Sequence, residues 1–341
     1  MLPTLHLGRV ISIKVTMRAV QVVDWASAPQ LTESKPPSLP SDQSTVQIRV
    51  IAVGLHQVVR SRASGKHYTS GSLPHTPGID GVGVNTSTGK HVYFLTMGTA
   101  STGSFVELVN VPATHVFTLP DGVDPIQAAA LMNPIMSSWM ALKWRTGILQ
   151  HGPVGGWTCL IVGALTVSGK LAIKTARTLG ADKVIGAARN GGQLAQLDLD
   201  DRIILREPPR SSDFSAAASA SVVLDYLYGP YPRAFLESTA ARAKGAPPLT
   251  YVSIGSLAGA DADIPSAALR SRDVTIRGAG AGSWDPQKLL GEVDAMLHVL
   301  EGIRLPEVQV VSVGDVERVW GKEAKPGERV VFVFDDTQEA K

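Results

Sequence analysis

Residues 158–170 read Thr-Cys-Leu-Ile-Val-Gly-Ala-Leu-Thr-Val-Ser-Gly-Lys, and they carry the clearest structural pattern in the chain. An apolar run leads into small residues and then into apolar residues at helical spacing, which predicts a buried strand, a tight turn and a helix. Gly163 would allow the turn, and Gly169 would let the helix lie close to the strand. The start of such a helix has unpaired amides and the positive end of the helix dipole, so it can bind a pyrophosphate.

The turn departs from the usual glycine fingerprint at Thr166, where the middle glycine is expected. Its Cβ would obstruct the closest approach of a diphosphate, although its hydroxyl could donate a hydrogen bond. A strand–helix turn without any ligand therefore stays an alternative. If the turn does bind a dinucleotide, the candidate residues are Gly163, Ala164, Thr166, Val167, Ser168, Gly169 and Lys170.

The end of the next predicted strand bears on which dinucleotide would bind. An acidic residue here would bond the ribose hydroxyls of NAD, but the sequence continues Ala188-Arg189-Asn190. The Arg189 guanidinium is suited to a 2′-phosphate, and Lys170 could contribute to the same pocket. The pattern favours NADP(H), with Arg189 and Asn190 as candidate contacts. A solvated arginine and a surface lysine are the alternatives.

The rest of the chain falls into stretches that differ in the length and spacing of their apolar runs. Short, punctuated strands are predicted at 19–23, 46–53, 91–95, 105–109 and 115–119. Further strands at 157–162, 183–188, 202–205, 221–225, 249–254 and 274–277 alternate with helical segments, which predicts a doubly wound parallel sheet. A helix at 286–300 and strands at 308–313 and 328–334 follow. The predicted class is α/β.

Composition excludes several classes of protein. The chain has 341 residues, with 44% hydrophobic and 18% charged, as in ordinary globular proteins. A net charge of +2 gives no reason to expect nucleic acid or an anionic membrane as partner. The single cysteine, Cys159, cannot form an internal disulfide, which fits a reducing, cytoplasmic compartment. No apolar run approaches the ~20 residues of a membrane span.

Several motifs, in this order, resemble the medium-chain dehydrogenase/reductase superfamily in its zinc-independent, quinone oxidoreductase-like branch. They are MRAV at 17–20, IAVGLH at 51–56, TPGIDGVG at 76–83, MSSWMAL at 136–142, GALTVSG at 163–169, VVLDYLYG at 222–229 and IGS at 254–256. The resemblance covers about 17–334, nearly the whole chain.

This resemblance implies a domain organisation and further site residues. A GroES-like substrate domain would span 17–130, a Rossmann NADP-binding domain 131–283, and 284–341 would return to the first domain. Residues 1–16 would be an extension or the result of an upstream start. NADPH would lie between the domains, and the matching motifs add Ser137, Asp225, Leu227, Gly255 and Ser256 as cofactor contacts.

The resemblance also predicts that no metal is bound. Zinc-dependent relatives have a catalytic cysteine where His56 stands and Gly-His-Glu where Gly78-Ile79-Asp80 stands, and one cysteine cannot build their structural zinc lobe. His56, where quinone reductases often have asparagine, could act as an acid or bond a carbonyl oxygen. His56 and Tyr68 are the candidate catalytic residues. The alternative for His56 is that it only supports the loop.

The leading functional hypothesis is an NADPH-dependent oxidoreductase that delivers hydride to a conjugated carbonyl, such as a quinone, enone or enoyl substrate. Two alternatives stay open. One is a tailoring enoyl reductase or cyclisation helper in secondary-metabolite biosynthesis, and the other is a non-catalytic member with impaired dinucleotide binding, as the turn at Thr166 suggests. The expected partner is a small-molecule substrate, and a homodimer is an open alternative because Rossmann edges in this family often pair.

Overall fold

The computed structural model describes residues 16–67, 70–99, 102–151, 156–238, 241, 244–305, 308–322 and 328–334. These residues form a seven-stranded sheet, a six-stranded parallel sheet and one small antiparallel pair of strands. The predicted α/β class is confirmed. The predicted extension at 1–16 lies, apart from its last residue, outside the described residues.

The first part of the chain consists mainly of short strands, as predicted. Its elements are β1 (Met17–Gln21), β2 (Gln30–Ser34), β3 (Thr45–Gly54), α1 (Gln57–Ala63), β4 (Asp80–Asn85), β5 (His91–Leu95), β6 (Leu108–Pro112) and β7 (Val116–Thr118). The first two strands pair with each other, while β3 to β7 enter the seven-stranded sheet.

The middle of the chain alternates strands and helices. Its elements are α2 (Pro125–Trp144), α3 (Ile148–His151), β8 (Thr158–Val162), α4 (Val167–Thr178), β9 (Lys183–Ala188), α5 (Gly191–Leu194), β10 (Asp201–Ile204), β11 (Ala220–Asp225), α6 (Tyr231–Leu236), β12 (Leu249–Ser253), α7 (Ser266–Ser271) and β13 (Val274–Gly278). The parallel strands lie in the order β10-β9-β8-β11-β12-β13, so the strand order reverses between β8 and β11. Ligands of doubly wound sheets bind outside the carboxyl ends of the strands at this position.

The last part of the chain returns to the first sheet. Its elements are α8 (Pro286–Leu290), α9 (Val293–Val299), β14 (Val308–Ser312), α10 (Val316–Trp320) and β15 (Arg329–Val333). The order of the seven-stranded sheet is β14-β15-β3-β4-β5-β7, with β6 paired to β3, and β15 runs antiparallel to β3.

Helix α2 joins the two large sheets. Asp124 caps its start by accepting from the Gln127 amide, and most of the helix is buried on all sides. Residues from Ala128 to Met140 pack in one core with side chains of β3, β4, β5 and β15, whereas Ala141 and Leu142 pack in the core of the parallel sheet. The boundary expected at residue 130 therefore falls inside a continuous helix.

Two elements differ from the predicted ones. The predicted strand at 105–109 begins later, at Leu108, because Phe105 and Val106 are buried beside β1 through an isolated bridge. The predicted helix at 286–300 is two helices, since α8 ends with Gly291 as its C-cap. In the described part of the chain, no helix is both long enough and apolar enough to cross a membrane.

Candidate active site

The turn between β8 and α4 holds the helix start against the strand. Gly163 has φ of +93°, and a Cβ there would lie 3.2 Å from the Leu227 side chain. At Gly169, a Cβ would lie 2.3 Å from the Gly163 carbonyl oxygen, so a side chain would push the helix away. The structure thus contains the strand–turn–helix unit that residues 158–170 predict, with Ala164 buried at its centre.

Thr166 serves as the N-cap of α4. Its Oγ1 donates to the Gly163 carbonyl and accepts from the Gly169 amide, both at 2.9 Å. A hydroxyl has one hydrogen, and here the turn itself uses it. Thr166 therefore stabilises the helix start, and the idea that this hydroxyl donates to a phosphate is not supported. Among the described hydrogen bonds, none uses the amides of Val167 and Ser168.

An arginine that the sequence analysis missed lies against this helix start. Arg329, the first residue of β15, donates from a guanidinium nitrogen to Ser168 Oγ at 3.3 Å, although the two residues are 161 positions apart. Its Nε is buried and has no hydrogen-bond partner, and among the described residues no carboxylate pairs with it. The guanidinium thus adds positive charge to a helix end that already favours anions.

Burial of Arg329 has a measurable electrostatic consequence. Removal from water lowers the pKa of its guanidinium from its usual value to about 10. At about 1.4 kcal/mol per pKa unit, that shift corresponds to roughly 3 kcal/mol of destabilisation of the charged form. A bound anion would offset this cost, since a buried charge is stable only when paired.

The end of β9 places two of the predicted contacts next to this turn. Arg189 and Asn190 are exposed, and the Asn190 side chain caps α5 by accepting from the Gln193 amide at 3.1 Å. The Gly163 and Ala164 amides both donate to the Ala187 carbonyl, so the Arg189 backbone lies beside the β8–α4 turn. Lys170 lies in the first turn of α4 and is partly buried.

Asp225, at the end of β11, accepts three hydrogen bonds from protein groups. Its carboxylate accepts from the amides of Leu227 and Tyr228, at 2.8 and 3.0 Å, and from the Tyr251 hydroxyl at 2.6 Å. It is fully buried, and burial raises its pKa although these three bonds lower it. Asp225 therefore shapes the loop after β11 through these three bonds.

The loop after β11 brings the other predicted contacts together. The Gly255 amide donates to the Asp225 carbonyl, and a Cβ on Gly255 would lie 2.7 Å from the Tyr226 carbonyl oxygen. Ser137 Oγ donates to the Pro134 carbonyl and lies 3.3 Å from the Tyr226 hydroxyl. Leu227 in turn packs on Gly163, where an added Cβ would lie 3.2 Å from the Leu227 side chain. Side chains of α2 and the strand ends of β8, β11 and β12 thus meet at one place.

A cavity of about 470 Å³ opens beside this loop. Tyr228, Gly255, Ser256 and Arg277 are among the residues that line it, between the ends of β12 and β13. Tyr228 has φ of +55°, a left-handed conformation that costs a non-glycine residue of order 1 kcal/mol. The strain is maintained by the bond from the Tyr228 amide to Asp225.

His56 lies in the other sheet, directly after β3. Its ring packs on Gly54, where a Cβ would lie 2.5 Å from Nε2 and 2.3 Å from the Ala129 carbonyl oxygen. Nε2 lies 3.3 Å from Asp80 Oδ1, and Asp80 Oδ2 accepts from the Tyr93 hydroxyl at 2.8 Å. All three side chains are at most 1% exposed.

The structure therefore groups the candidates into two clusters joined by α2. Ala129 touches the His56 cluster, and Ser137 touches the cofactor cluster about 12 Å further along the helix. Tyr68, the second catalytic candidate, lies outside the described residues. Among the residues that the structure does describe, no group of three or more His, Cys, Asp or Glu side chains could hold a metal ion.

The polar groups at the β8–α4 turn suit a dinucleotide. A pyrophosphate needs amide donors and positive charge, and this helix start offers both, together with the unpartnered Nε of Arg329. The residues present thus fit the diphosphate of a dinucleotide.

Comparison with known proteins supplies the family. No family model matches the chain. A curated protein of Emericella nidulans, "Probable NADPH-dependent quinone reductase tdiC", is 32% identical over 93% of this chain and 100% of its own length. The chain belongs to the quinone oxidoreductase-like branch of the medium-chain dehydrogenase/reductase superfamily. A quinone oxidoreductase of Sus scrofa is 33% identical, over 44% of the chain and 45% of its own length.

Solved structures of this branch have the same fold. The quinone oxidoreductase of Thermus thermophilus, also solved in complex with NADPH, covers 93% of the chain with a TM-score of 0.70 and 22% identity. That of Pseudomonas syringae covers 93% with a TM-score of 0.69 and 20% identity, and each match spans 100% of the solved chain. The predicted family and fold are confirmed.

Proposed function

We propose that this quinone oxidoreductase-like chain is a zinc-independent, NADPH-dependent oxidoreductase that reduces a conjugated carbonyl compound, such as a quinone, an enone or an enoyl substrate. The buried Arg329 guanidinium at the start of α4 carries the proposal, because a cation that pairs with no carboxylate among the described residues, beside helix amides without a described acceptor, suits a bound pyrophosphate. The relative from Emericella nidulans, named as NADPH-dependent, supports the same enzyme class.

Different residues of the chain would bind different parts of the cofactor. Arg329, Ser168 and the α4 amides would hold the pyrophosphate, and Arg189 would pair with the 2′-phosphate. Ser137 and the loop of Leu227, Gly255 and Ser256 would border the nicotinamide end, since these residues meet at the strand ends. When bound, the reduced nicotinamide supplies a hydride to the acceptor.

His56 would act at the acceptor side. Its buried imidazole can bond or protonate the carbonyl oxygen on which negative charge develops. A quinone delocalises this charge well and depends little on such a donor, whereas an enone depends on it more. Of the two alternatives, a non-catalytic protein loses support because Thr166 stabilises the turn as an N-cap. No observation favours a tailoring role in biosynthesis over general carbonyl reduction.

A location and an assembly complete the proposal. The single buried cysteine supports a cytoplasmic protein, and β13, a half-exposed edge of the parallel sheet, supports a homodimer formed through this edge. Size-exclusion chromatography with light scattering would measure the assembly directly, and a monomer would contradict this part of the proposal.

The central experiment is a titration of the full chain with NADPH and then with NADH, followed by fluorescence. We expect tight, saturable binding of NADPH and weaker binding of NADH. Consumption of NADPH with a para-benzoquinone and with a cyclohexenone would then show the reaction. Absence of NADPH binding would contradict the proposal, and binding without reduction of either acceptor would contradict the proposed reaction but not the cofactor.

A further inference from the structure

A buried polar chain runs across three elements of the substrate domain. His56 follows β3, Asp80 begins β4 and Tyr93 lies in β5. Val82 pairs with Tyr93 in the β4–β5 ladder, so Asp80, two residues before Val82, is on the same face and diagonal to Tyr93. The contacts run from His56 Nε2 to Asp80 Oδ1 at 3.3 Å, and from the Tyr93 hydroxyl to Asp80 Oδ2 at 2.8 Å.

This chain is left incomplete at its histidine end. His56 and Asp80 are close, but their atoms are not aligned for a hydrogen bond, so Nε2, Nδ1 and Asp80 Oδ1 all lack a partner among the residues that the structure describes. An imidazole always has at least one N–H to donate. A buried donor or acceptor without a partner costs about 1–3 kcal/mol, so three in one pair would be costly at a purely structural position.

A second aspartate–tyrosine pair in the same molecule shows what a structural arrangement looks like. Asp225 also accepts from a buried tyrosine, Tyr251, but its carboxylate is completed by the amides of Leu227 and Tyr228. None of its oxygens is without a partner. The two pairs differ in their unpartnered atoms: Asp80 Oδ1 has no hydrogen-bond partner among the described residues, and it lies beside the His56 ring.

We propose that Asp80 and Tyr93 are positioning residues for His56, whose imidazole donates a proton to the carbonyl oxygen of the substrate. Such a proton donor makes enones suitable substrates for the enzyme. The inference rests on the proposed function. Asp80 would stabilise the imidazolium by its charge, and Tyr93 would fix the carboxylate. Burial and the Asp80 charge raise the pKa of the Tyr93 hydroxyl well above its usual value, so it stays protonated and remains the donor.

The proton balance of the step is simple. Hydride addition to the β-carbon of an enone breaks the carbon–carbon π bond and leaves negative charge on the enolate oxygen. The imidazolium N–H bond breaks, an O–H bond forms to give the enol, and His56 is left as neutral imidazole. The enol becomes the ketone in water, and solvent returns a proton to His56. With a quinone, the same proton converts the hydroquinone monoanion to hydroquinone.

The groups that face His56 come from several elements. Asp80 on β4 is the charged neighbour, and Tyr93 on β5 acts through it. Gly54 on β3 packs against the ring, and the Ala129 carbonyl of α2 lies next to Gly54; neither brings a charge. On α1 itself, the Arg60 guanidinium bonds the Trp320 carbonyl, which turns it toward α10. Loss of the Asp80 charge is therefore the change that affects the imidazolium most directly.

The test compares enone and quinone reduction in matched variants. We expect His56→Asn to lower kcat for a cyclohexenone by about 100-fold, and for a para-benzoquinone by less than about 10-fold. Asp80→Asn lowers the enone rate and moves the fall in kcat/KM at high pH to lower pH, because the imidazolium loses its counter-charge. Asp80→Glu, which keeps the charge, restores the position of that fall. Tyr93→Phe lowers the enone rate a few-fold but does not move it.

Tyr251→Phe is the matched control, because it also removes a buried bond from tyrosine to aspartate. It should lower the melting temperature about as much as Tyr93→Phe, yet leave the enone-to-quinone ratio unchanged. An equal loss of both activities in His56→Asn, or an unchanged pH profile in Asp80→Asn, would overturn the inference.

A measurement without cofactor separates this inference from the proposed function. Long-range proton–nitrogen NMR of the cofactor-free protein, assigned by comparison with His56→Asn, follows the titration of this imidazole. We expect Asp80→Asn to lower its midpoint and Asp80→Glu to leave it near the wild-type value. A midpoint that ignores Asp80 would reject the positioning role even if NADPH binds normally. If NADPH fails to bind while the midpoint responds, the proposed function is at fault.

Discussion

Arg329 and His56 each bury nitrogen atoms that have no hydrogen-bond partner among the described residues. Each is held by packing and by a single polar neighbour, Ser168 in one case and Asp80 in the other. Structural positions rarely leave buried donors unpaired. In the proposed function each side chain would gain its missing partner from a ligand, at the expense of stability in the free protein.

This trade can be measured at Arg329. In Arg329→Gln, the free energy of unfolding of the cofactor-free protein should rise by about 1 kcal/mol, because an unpaired buried charge is removed. NADPH should bind roughly 10- to 100-fold more weakly, since a charge-assisted bond to phosphate is lost. Urea denaturation and fluorescence titration measure the two effects. Arg318→Gln, which removes an exposed arginine from α10, is the control and should change neither. Unchanged NADPH affinity in Arg329→Gln would contradict the role of Arg329.

Thr166 offers a second test at this scale. Thr166→Ala removes the N-cap of α4 and should lower the free energy of unfolding by about 1 kcal/mol. Thr166→Ser keeps the hydroxyl and both of its bonds, so its stability should stay near that of the wild type. Urea denaturation of the cofactor-free proteins compares them. Equal stability of all three would show that the cap bonds contribute nothing.

Sequence reasoning found some of these residues and could not find others. The turn at 163–169 is visible because its strand, glycines and helix are consecutive, so local chemistry suffices. Arg329 could not be found by such local patterns, because only the return of β15 to the first sheet brings it to Ser168. Asp80 was noted only as a departure from a zinc motif, and nothing in its own neighbourhood indicates the contact with His56.

At the scale of elements, the proposed preference for NADPH over NADH depends on the ends of the parallel strands. Arg189 follows β9 and is exposed, and the backbone before it lies against the β8–α4 turn. Arg189→Glu should weaken NADPH binding by about 10- to 100-fold through loss of the pair and repulsion, while NADH binding changes little. Lys183→Glu, at the start of β9, is the matched charge reversal and should affect neither cofactor. Equal loss for NADPH and NADH in Arg189→Glu would contradict the 2′-phosphate contact.

The elements that sequence patterns predicted least well have physical reasons. Strand β4 was not predicted because Gly81 and Gly83 look like turn residues. In the structure these glycines are needed by the neighbouring strands, since a Cβ would lie 2.9 Å from the Phe94 ring and 2.4 Å from the Arg49 carbonyl oxygen. The parallel strands were predicted well because they are buried on both faces and form continuous apolar runs.

At the scale of the whole molecule, the last strands return to the seven-stranded sheet after the parallel sheet, and the described residues contain no cluster of three or more potential metal ligands. Cys159 lies buried in β8, and burial raises the pKa of its thiol, which makes it a poor ligand. Chelation should therefore leave turnover unchanged, and elemental analysis should find well below one zinc per chain. The control is the same assay after added zinc. Loss of turnover on chelation, restored by zinc, would contradict the prediction.

Helix α2 contributes side chains to the cores of both large sheets, so the division into two domains does not separate two independent cores. One end of this helix fills the core under the seven-stranded sheet, and its last turns fill the core under the parallel sheet. If the chain were cut between the two domains, one fragment would keep α2 with part of its apolar surface exposed. The other fragment would lose the side chains that α2 contributes to its core. The two domains are thus distinct as architecture but inseparable as folding units, and heat should melt them in one cooperative transition. An insertion that lengthened α2 would rotate the two halves of the active site relative to each other, so the helix also sets the register between cofactor and acceptor.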